Sequence, residues 1–304
     1  MSFKKQHQQA FELLSKVFLY GWIVTICILA AYGLLYLLAG VVGDGPLSSI
    51  LVYYGTPVLA VVLLLLVGNF YVYHGFGSQA DIYRRGSEEE KKVALTFDDG
   101  PNPTYTPAIL EILRRYGVPA TFFLLGSQVD AYPELPERMV SEGHEVGIHS
   151  YDHLNLTSLS TPALSSQIFQ TIVAILNAGG KYPRFLRPPR GLYNAQLRRL
   201  AELLGLRIVL WSLSSEDWMP GKSPEAVVNR ILNRVQPGDI LLFHDGGGLI
   251  NGAKNNRKHT VQALPQIIEG LEAAGYEIVP LTELLDKASP EVECPGEVVF
   301  SQDF

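Results

Sequence analysis

From Lys92 onward, short apolar runs rich in β-branched and aromatic residues alternate with stretches of helical periodicity, and this alternation restricts the chain more than any other feature. Strands are expected at 93–97, 120–125, 145–149, 185–187, 207–211, 239–244 and 277–280. Helices fit between them at 106–116, 128–142, 162–178, 194–204, 224–234 and 261–274. Several of these helical stretches run into glycine, at Gly117, Gly143, Gly179, Gly205 and Gly275, as C-terminal caps commonly do. Seven β/α units in a row imply a parallel sheet, either open and doubly wound or closed into a barrel.

In either form, a functional site falls at the C-terminal ends of the strands. The notable polar residues sit there: Asp98 and Asp99 end the first strand, His149 the third, Arg187 the fourth and His244 the sixth, while 212–218 follow the fifth. Taken singly, each has an ordinary explanation. Asp98-Asp99-Gly100-Pro101 is composed of turn formers. A lone histidine is usually structural, Arg187 could be a surface cation, and Trp218 could be core. Together they define a chemistry. Asp99, His149 and His153 supply the carboxylate and two imidazoles that hold a divalent ion while leaving a coordination position open for water or substrate. Asp98 is then free to accept a proton from water, and His244 is the natural opposing acid for an amine leaving group.

The N-terminal part has a different composition. The hydrophobic fraction of 47% is at the upper end of normal for a soluble fold, and the excess is localised. Segments 17–42 and 50–73 contain no Asp, Glu, Lys or Arg, and each is long enough to cross a bilayer core of about 30 Å as a helix. Lys4, Lys5 and Lys16 precede the first; Arg84, Arg85, Lys91 and Lys92 follow the second; the turn between them has no cation. Because cationic flanks stay cytoplasmic, the sequence reads as a hairpin with both ends inside. In the competing arrangement only one segment crosses, and the domain lies outside. The expected organisation is a tail (1–16), two transmembrane helices, a linker (74–91), a catalytic domain (92–288) and a second tail (289–304). Cys27 lies in the middle of the first segment and Cys294 near the C-terminus, so no internal disulfide is expected. The formal net charge of -6 argues against nucleic acid as a partner.

The ordered motifs of the domain resemble those of the polysaccharide deacetylase family, carbohydrate esterase family four, also called the NodB-homology domain. The resemblance covers about 92–285. Thr96-Phe97-Asp98-Asp99-Gly100 resembles its first motif and His149-Ser150-Tyr151-Asp152-His153 its second. Arg187-Pro188-Pro189-Arg190-Gly191 matches the third in part, and Leu241-Leu242-Phe243-His244 resembles the fifth. This implies a distorted (β/α) barrel of about seven parallel strands that removes N-acetyl groups from amino sugars. By the same resemblance Asp98 is the base, His244 the acid, and the metal is Zn2+ or a similar ion such as Co2+, Mn2+ or Ni2+. It also implies that Arg187 orients Asp98 and that the backbone N–H of Arg190 helps stabilise the oxyanion. Substrate contact is expected from Trp218, Pro188, Pro189 and Tyr151.

Two departures stand out. Arg190 occupies the place where the family usually has an aromatic residue. Ser214-Ser215-Glu216-Asp217-Trp218 lacks the first carboxylate of the family's Asp-x-x-Asp-Trp, so support of His244 or Arg187 by this loop falls to Asp217. The resemblance makes peptidoglycan or a related wall polymer the expected substrate, which requires an extracytoplasmic domain, whereas the charge flanks favour a cytoplasmic one. A lipid-linked amino sugar at the inner leaflet would reconcile the two, with Arg190 or the 254–258 segment near the lipid phosphate. The rival of another class is a non-catalytic carbohydrate-binding barrel. The tract after His244, from Asp245-Gly246-Gly247-Gly248 through Asn251 to Lys258, reads as a polar loop at the barrel mouth.

Overall fold

The computed structural model describes residues 81–219, 221–247 and 257–286, together with Tyr54, Gly55, Pro57, Val58 and Val61. Segment 17–42, most of 50–73, both tails and 248–256 lie outside the described residues. Among the described residues no helix is long and apolar enough to cross a membrane.

The chain from Asp81 forms strands β1 (Ile82–Tyr83) and β2 (Lys92–Gly100), helix α1 (Tyr105–Tyr116), strand β3 (Thr121–Leu124) and helices α2 (Gly126–Ala131) and α3 (Glu134–Ser141). It continues through β4 (Glu145–Ile148), α4 (Thr161–Asn177), β5 (Phe185–Leu186), α5 (Ala195–Leu203), β6 (Arg207–Val209) and β7 (Leu213–Ser214). The last elements are α6 (Pro224–Leu232), β8 (Ile240–His244), α7 (Lys258–Ala273), β9 (Glu277–Ile278) and α8 (Leu281–Asp286).

Every named strand pairs in parallel, in the order β1-β6-β5-β4-β3-β2-β8-β7, with β9 on the first residues of β2. β2 lies inside the sheet between β3 and β8, and all its residues from Val93 to Gly100 are buried, as a strand covered on both faces requires. Phe97 pairs with Phe122 and Phe243 in register, and the three rings pack as a row. On the opposite face of β2, Thr96 and Asp98 both hydrogen-bond to the guanidinium of Arg187.

Among the described residues β1 and β7 are not paired, so the curl stops short of a closed barrel. The backbone between β6 and β7 crosses this seam: Leu210 N–H donates to Tyr83, and Ser212 N–H donates to Ile240. Arg187 braces it from inside. Its side chain is fully buried, and it donates to the carbonyls of Val209 and Leu210 at 3.2 and 2.7 Å while holding Thr96 and Asp98 on β2.

All seven expected strands are present, and two more join them. β1 lies within the stretch 74–91, whose polar character suggests a linker; Ile82 and Tyr83 join the sheet, and Arg85 forms an ion pair with Asp239 at 2.8 Å. β7 is too short to carry a periodic signal. The single helix expected at 128–142 is two, α2 and α3, because Pro133 disfavours helical backbone at Tyr132, where φ is -139°. The five glycines expected as caps all have positive φ, between 65° and 86°. At Gly117 the amide also returns to the Arg114 carbonyl, closing the end of α1.

Candidate active site

Neighbouring residues on a strand point to opposite faces, so two adjacent aspartates reach one site only if the backbone turns between them. It does so here. The pairing of β2 with β3 shifts register between Asp98 and Gly100, and Asp99 adopts a left-handed conformation at φ 73°. Both carboxylates thereby face His149: its Nε2 lies 3.3 Å from Asp99 Oδ1 and 3.8 Å from Asp98 Oδ2.

His149 follows β4, and its Nδ1 lies 2.7 Å from the carbonyl oxygen of Arg187. A carbonyl only accepts, so Nδ1 carries the hydrogen and the Nε2 lone pair is directed at Asp99. His153 reaches the same oxygen at 3.2 Å from a loop in which Ser150 and His153 are themselves left-handed, at φ 73° and 58°. The Ser150 hydroxyl accepts from His153 N–H and fixes the bend.

Asp99, His149 and His153 form the group that could hold a metal ion, each offering one ligand atom within 4.8 Å of the others. Asp99 Oδ1 is buried without a hydrogen-bond partner. An acceptor oxygen against imidazole nitrogens is repulsive unless a cation lies between them. Spacings of 3.2 and 3.3 Å are also those of ligand atoms at about 2.0–2.1 Å from a shared tetrahedral ion. The donor set therefore fits a divalent metal. Burial alone would raise the Asp99 carboxyl, but the imidazoles of His149, His244 and His153 around it hold it well below the usual carboxylate range.

Asp98 is secured from the other side, its Oδ1 accepting from Arg187 at 2.7 Å. The guanidinium also lies over the Phe123 ring, 4.0 Å from its centroid. With four oxygen partners and an aromatic face, Arg187 is a structural cation of the interior rather than a solvated one.

His244 ends β8 on the strand beside β2, in register with Asp98. Its Nδ1 is 2.7 Å from Asp217 Oδ1, and its backbone N–H donates to Asp217 Oδ2 at 2.8 Å. Burial would lower the imidazole, yet the charge and hydrogen bond of Asp217, with Asp99 and Asp98 adding to them, raise it above its ordinary value. Asp217 is itself enclosed. Thr260 donates to its Oδ2 at 2.9 Å, and Arg257 and His259 contact its backbone oxygen. At Ser214, where the first carboxylate is missing, the hydroxyl accepts from Glu216 N–H.

Arg257 was expected within a polar loop, and the structure corrects this: it is buried, and its guanidinium donates to the carbonyls of Gly246 and Gly247. Those glycines sit against the metal-ligand carboxylate. A Cβ at Gly246 would come within 2.2 Å of the Asp99 carbonyl oxygen, and one at Gly247 within 2.0 Å of Asp99 Oδ2. Asp245 is also buried, bonded to the Thr106 hydroxyl, and burial pushes its carboxyl up to about 7.

The other expected site residues divide. Pro188 and Pro189 are buried and lead into a turn in which Arg190 is left-handed, at φ 58°, and exposed near His153. Trp218 is 37% exposed beside Met219 at 40%, so it is not core. Tyr151 is committed elsewhere: its hydroxyl donates to Asp130 and its ring lies on Gly126, which places it against α2. Sequence reasoning missed Thr96, Arg257 and Thr260. Thr96 had a signal, two residues before Asp98 on the same strand face; Arg257 and Thr260 reach Asp217 from about forty residues away and had none.

Comparison with known proteins places this geometry among relatives. A sequence model described as polysaccharide deacetylase matches residues 85–209. A peptidoglycan-N-acetylglucosamine deacetylase of Bacillus cereus is 40% identical over 199 residues, which cover 64% of this chain and 89% of that protein. The peptidoglycan-N-acetylglucosamine deacetylase PgdA of Listeria monocytogenes is 39% identical over 198 residues, 65% of this chain but 40% of the relative. Among solved structures, the Bc1960 peptidoglycan N-acetylglucosamine deacetylase superimposes with a TM-score of 0.64 at 32% identity, covering 68% of this chain and 93% of that one.

Proposed function

This chain belongs to the polysaccharide deacetylase family and is a hydrolase of carbon–nitrogen bonds other than peptide bonds; from that premise we propose that it removes N-acetyl groups from the amino sugars of peptidoglycan or a related wall glycan. The observation that carries the reading is the juxtaposition at the barrel mouth. Asp99 Oδ1, without a hydrogen-bond partner, faces the Nε2 atoms of His149 and His153 at 3.3 and 3.2 Å, beside an Asp98 anchored by Arg187.

Asp99, His149 and His153 would hold the divalent ion, most naturally Zn2+ for two imidazoles and one carboxylate. When bound, such an ion polarises the amide carbonyl and acidifies water. The remaining work falls to this chain's own groups. Asp98 accepts the proton of the attacking water; Arg187 fixes its Oδ1, leaving Oδ2 on the His149 side to take it. His244 donates a proton to the departing amine. Asp217 favours the charged form of its imidazole and binds Nδ1, so that Nε2 is the nitrogen that delivers the proton. The backbone N–H of Arg190 donates to the oxyanion, a contribution worth about 3 kcal/mol in comparable sites. Trp218, partly exposed, offers an apolar surface to the sugar or the acetyl methyl group.

The test is acetate release by the full chain supplied with Zn2+, from wall fragments and from N-acetylglucosamine oligomers, with Asp98→Asn as control. Release that disappears in the control is expected. No release from either substrate overturns the proposal.

A further inference from the structure

Helix α4 has no charged residue in any of its 17 positions, which is unusual for a helix on the outside of a barrel. Its core stripe is supplied by Leu164, Ile168, Ile172 and Ile175. A second apolar stripe, Phe169, Val173 and Leu176, follows the i, i+4, i+7 spacing and is exposed, Val173 at 52%. The stripe continues beyond the helix. The Tyr182 hydroxyl donates to the Leu204 carbonyl at the end of α5, where Leu203 is 77% exposed. Lys181, Arg184 and Arg199 are exposed around this patch, with Glu202 and Asp286 as neighbouring acids, the latter 3.8 Å from Arg184. Contiguous apolar surface with a basic rim marks a site of contact, and a single exposed leucine would not.

Its place in the fold narrows the occupant. A helix that follows a parallel strand runs back toward the strands' beginnings, so Leu176, Tyr182 and Leu203 lie at the end of the barrel opposite Asp98 and His244. Asp81, just before β1, lies at that same end and is bound to α5 through its ion pair with Arg198. The last charge-free residue of segment 50–73 is Tyr73, and the eight steps from Tyr73 to Asp81 reach at most about 28 Å. A bilayer entered by that segment is within reach of this end of the barrel. A patch with aromatic and aliphatic side chains and cations at its margin suits the interface of an anionic membrane.

We propose that the face formed by Phe169, Val173, Leu176, Tyr182 and Leu203 docks on the surface of an anionic lipid bilayer, which leaves the catalytic mouth at the other ends of the strands uncovered. The inference rests on the membrane reading of 17–42 and 50–73 and goes beyond it, since an anchor alone leaves the barrel free to tumble.

The test uses the full chain with Cys27→Ser and Cys294→Ser, reconstituted into vesicles of phosphatidylcholine and phosphatidylglycerol. An environment-sensitive fluorophore is attached at Val173→Cys, Leu203→Cys or, as control near the start of α6, Glu225→Cys, and brominated lipid serves as quencher. The expected result is that quenching at 173 and 203 exceeds that at 225 by about threefold or more, and that Phe169→Ser with Leu176→Ser lowers the signal at 173 while the chain still floats with the vesicles. Flotation with equal quenching at all three positions overturns docking and leaves the anchor standing. A blue shift at 173 without lipid quenching assigns the face to a protein partner and overturns it, as does failure of the chain to float.

Discussion

The two sides of the site are built on different terms. On the side of Asp99, His149 and His153, acceptor atoms crowd together and one buried oxygen has no hydrogen-bond partner. On the side of His244, both oxygens of Asp217 are engaged, by the imidazole, a backbone N–H and the Thr260 hydroxyl. The first arrangement needs an occupant from outside; the second is complete within the chain. Metal affinity and proton delivery are therefore expected to respond to different substitutions, although His244 and Asp98 are register partners on adjacent strands.

The largest effect separates the sides most sharply. Asp99→Ala should abolish stoichiometric zinc in the purified chain and lower acetate release by about 10^3-fold or more. Because it also removes the crowded acceptor, the metal-free variant should unfold in urea no earlier than the metal-free parent. An earlier midpoint would mean that the triad is satisfied without an ion. Next, Asp98→Asn retains an acceptor for Arg187 but cannot take a proton. Turnover should fall about 10^2–10^4-fold with zinc content unchanged, as measured by acetate release and metal analysis.

On the other side, Asp217→Asn should cost about 10–100-fold in turnover with full metal occupancy. The sign of its pH effect follows from the imidazole. His244 acts when protonated, and Asp217 raises its affinity for the proton against the effect of burial. Activity should therefore fall as pH rises through the His244 value, and removing the carboxylate should move this alkaline limb to lower pH. A limb that stays in place in the kcat/KM profile would break the assignment. The smallest effect is expected from Thr260→Val, which deletes one buried donor to Asp217. A loss of about 1 kcal/mol in urea unfolding and a slight shift of the same limb are expected.

What could be read from the sequence follows the range of the interactions. The β/α alternation and the glycine caps are local, and they gave the parallel sheet and nearly all its elements. Asp98, Asp99, His149 and His244 could be grouped because strand ends in a parallel sheet converge, a rule that needs no side-chain contact. The break at Pro133 is local too, yet the apolar periodicity on either side of it reads as one helix. The support of Asp217 was not legible. Arg257 and Thr260 approach it from a helix start whose own sequence shows only a polar loop running into α7. Nor does any pattern announce that Tyr151, within a histidine motif, turns toward Asp130.

The brace formed by Arg187 binds the fate of the fold to that of the reaction. One guanidinium holds the proton-accepting carboxylate and the carbonyls beside the seam, so a lineage that discarded the chemistry by losing Asp98 would also loosen its scaffold. Removing Arg187 instead would strand a buried anion, at a typical cost of about 3–5 kcal/mol. Drift away from hydrolysis is thus penalised in stability as well as in function. Asparagine at 98, which still accepts a hydrogen bond, is the exit with the least structural cost.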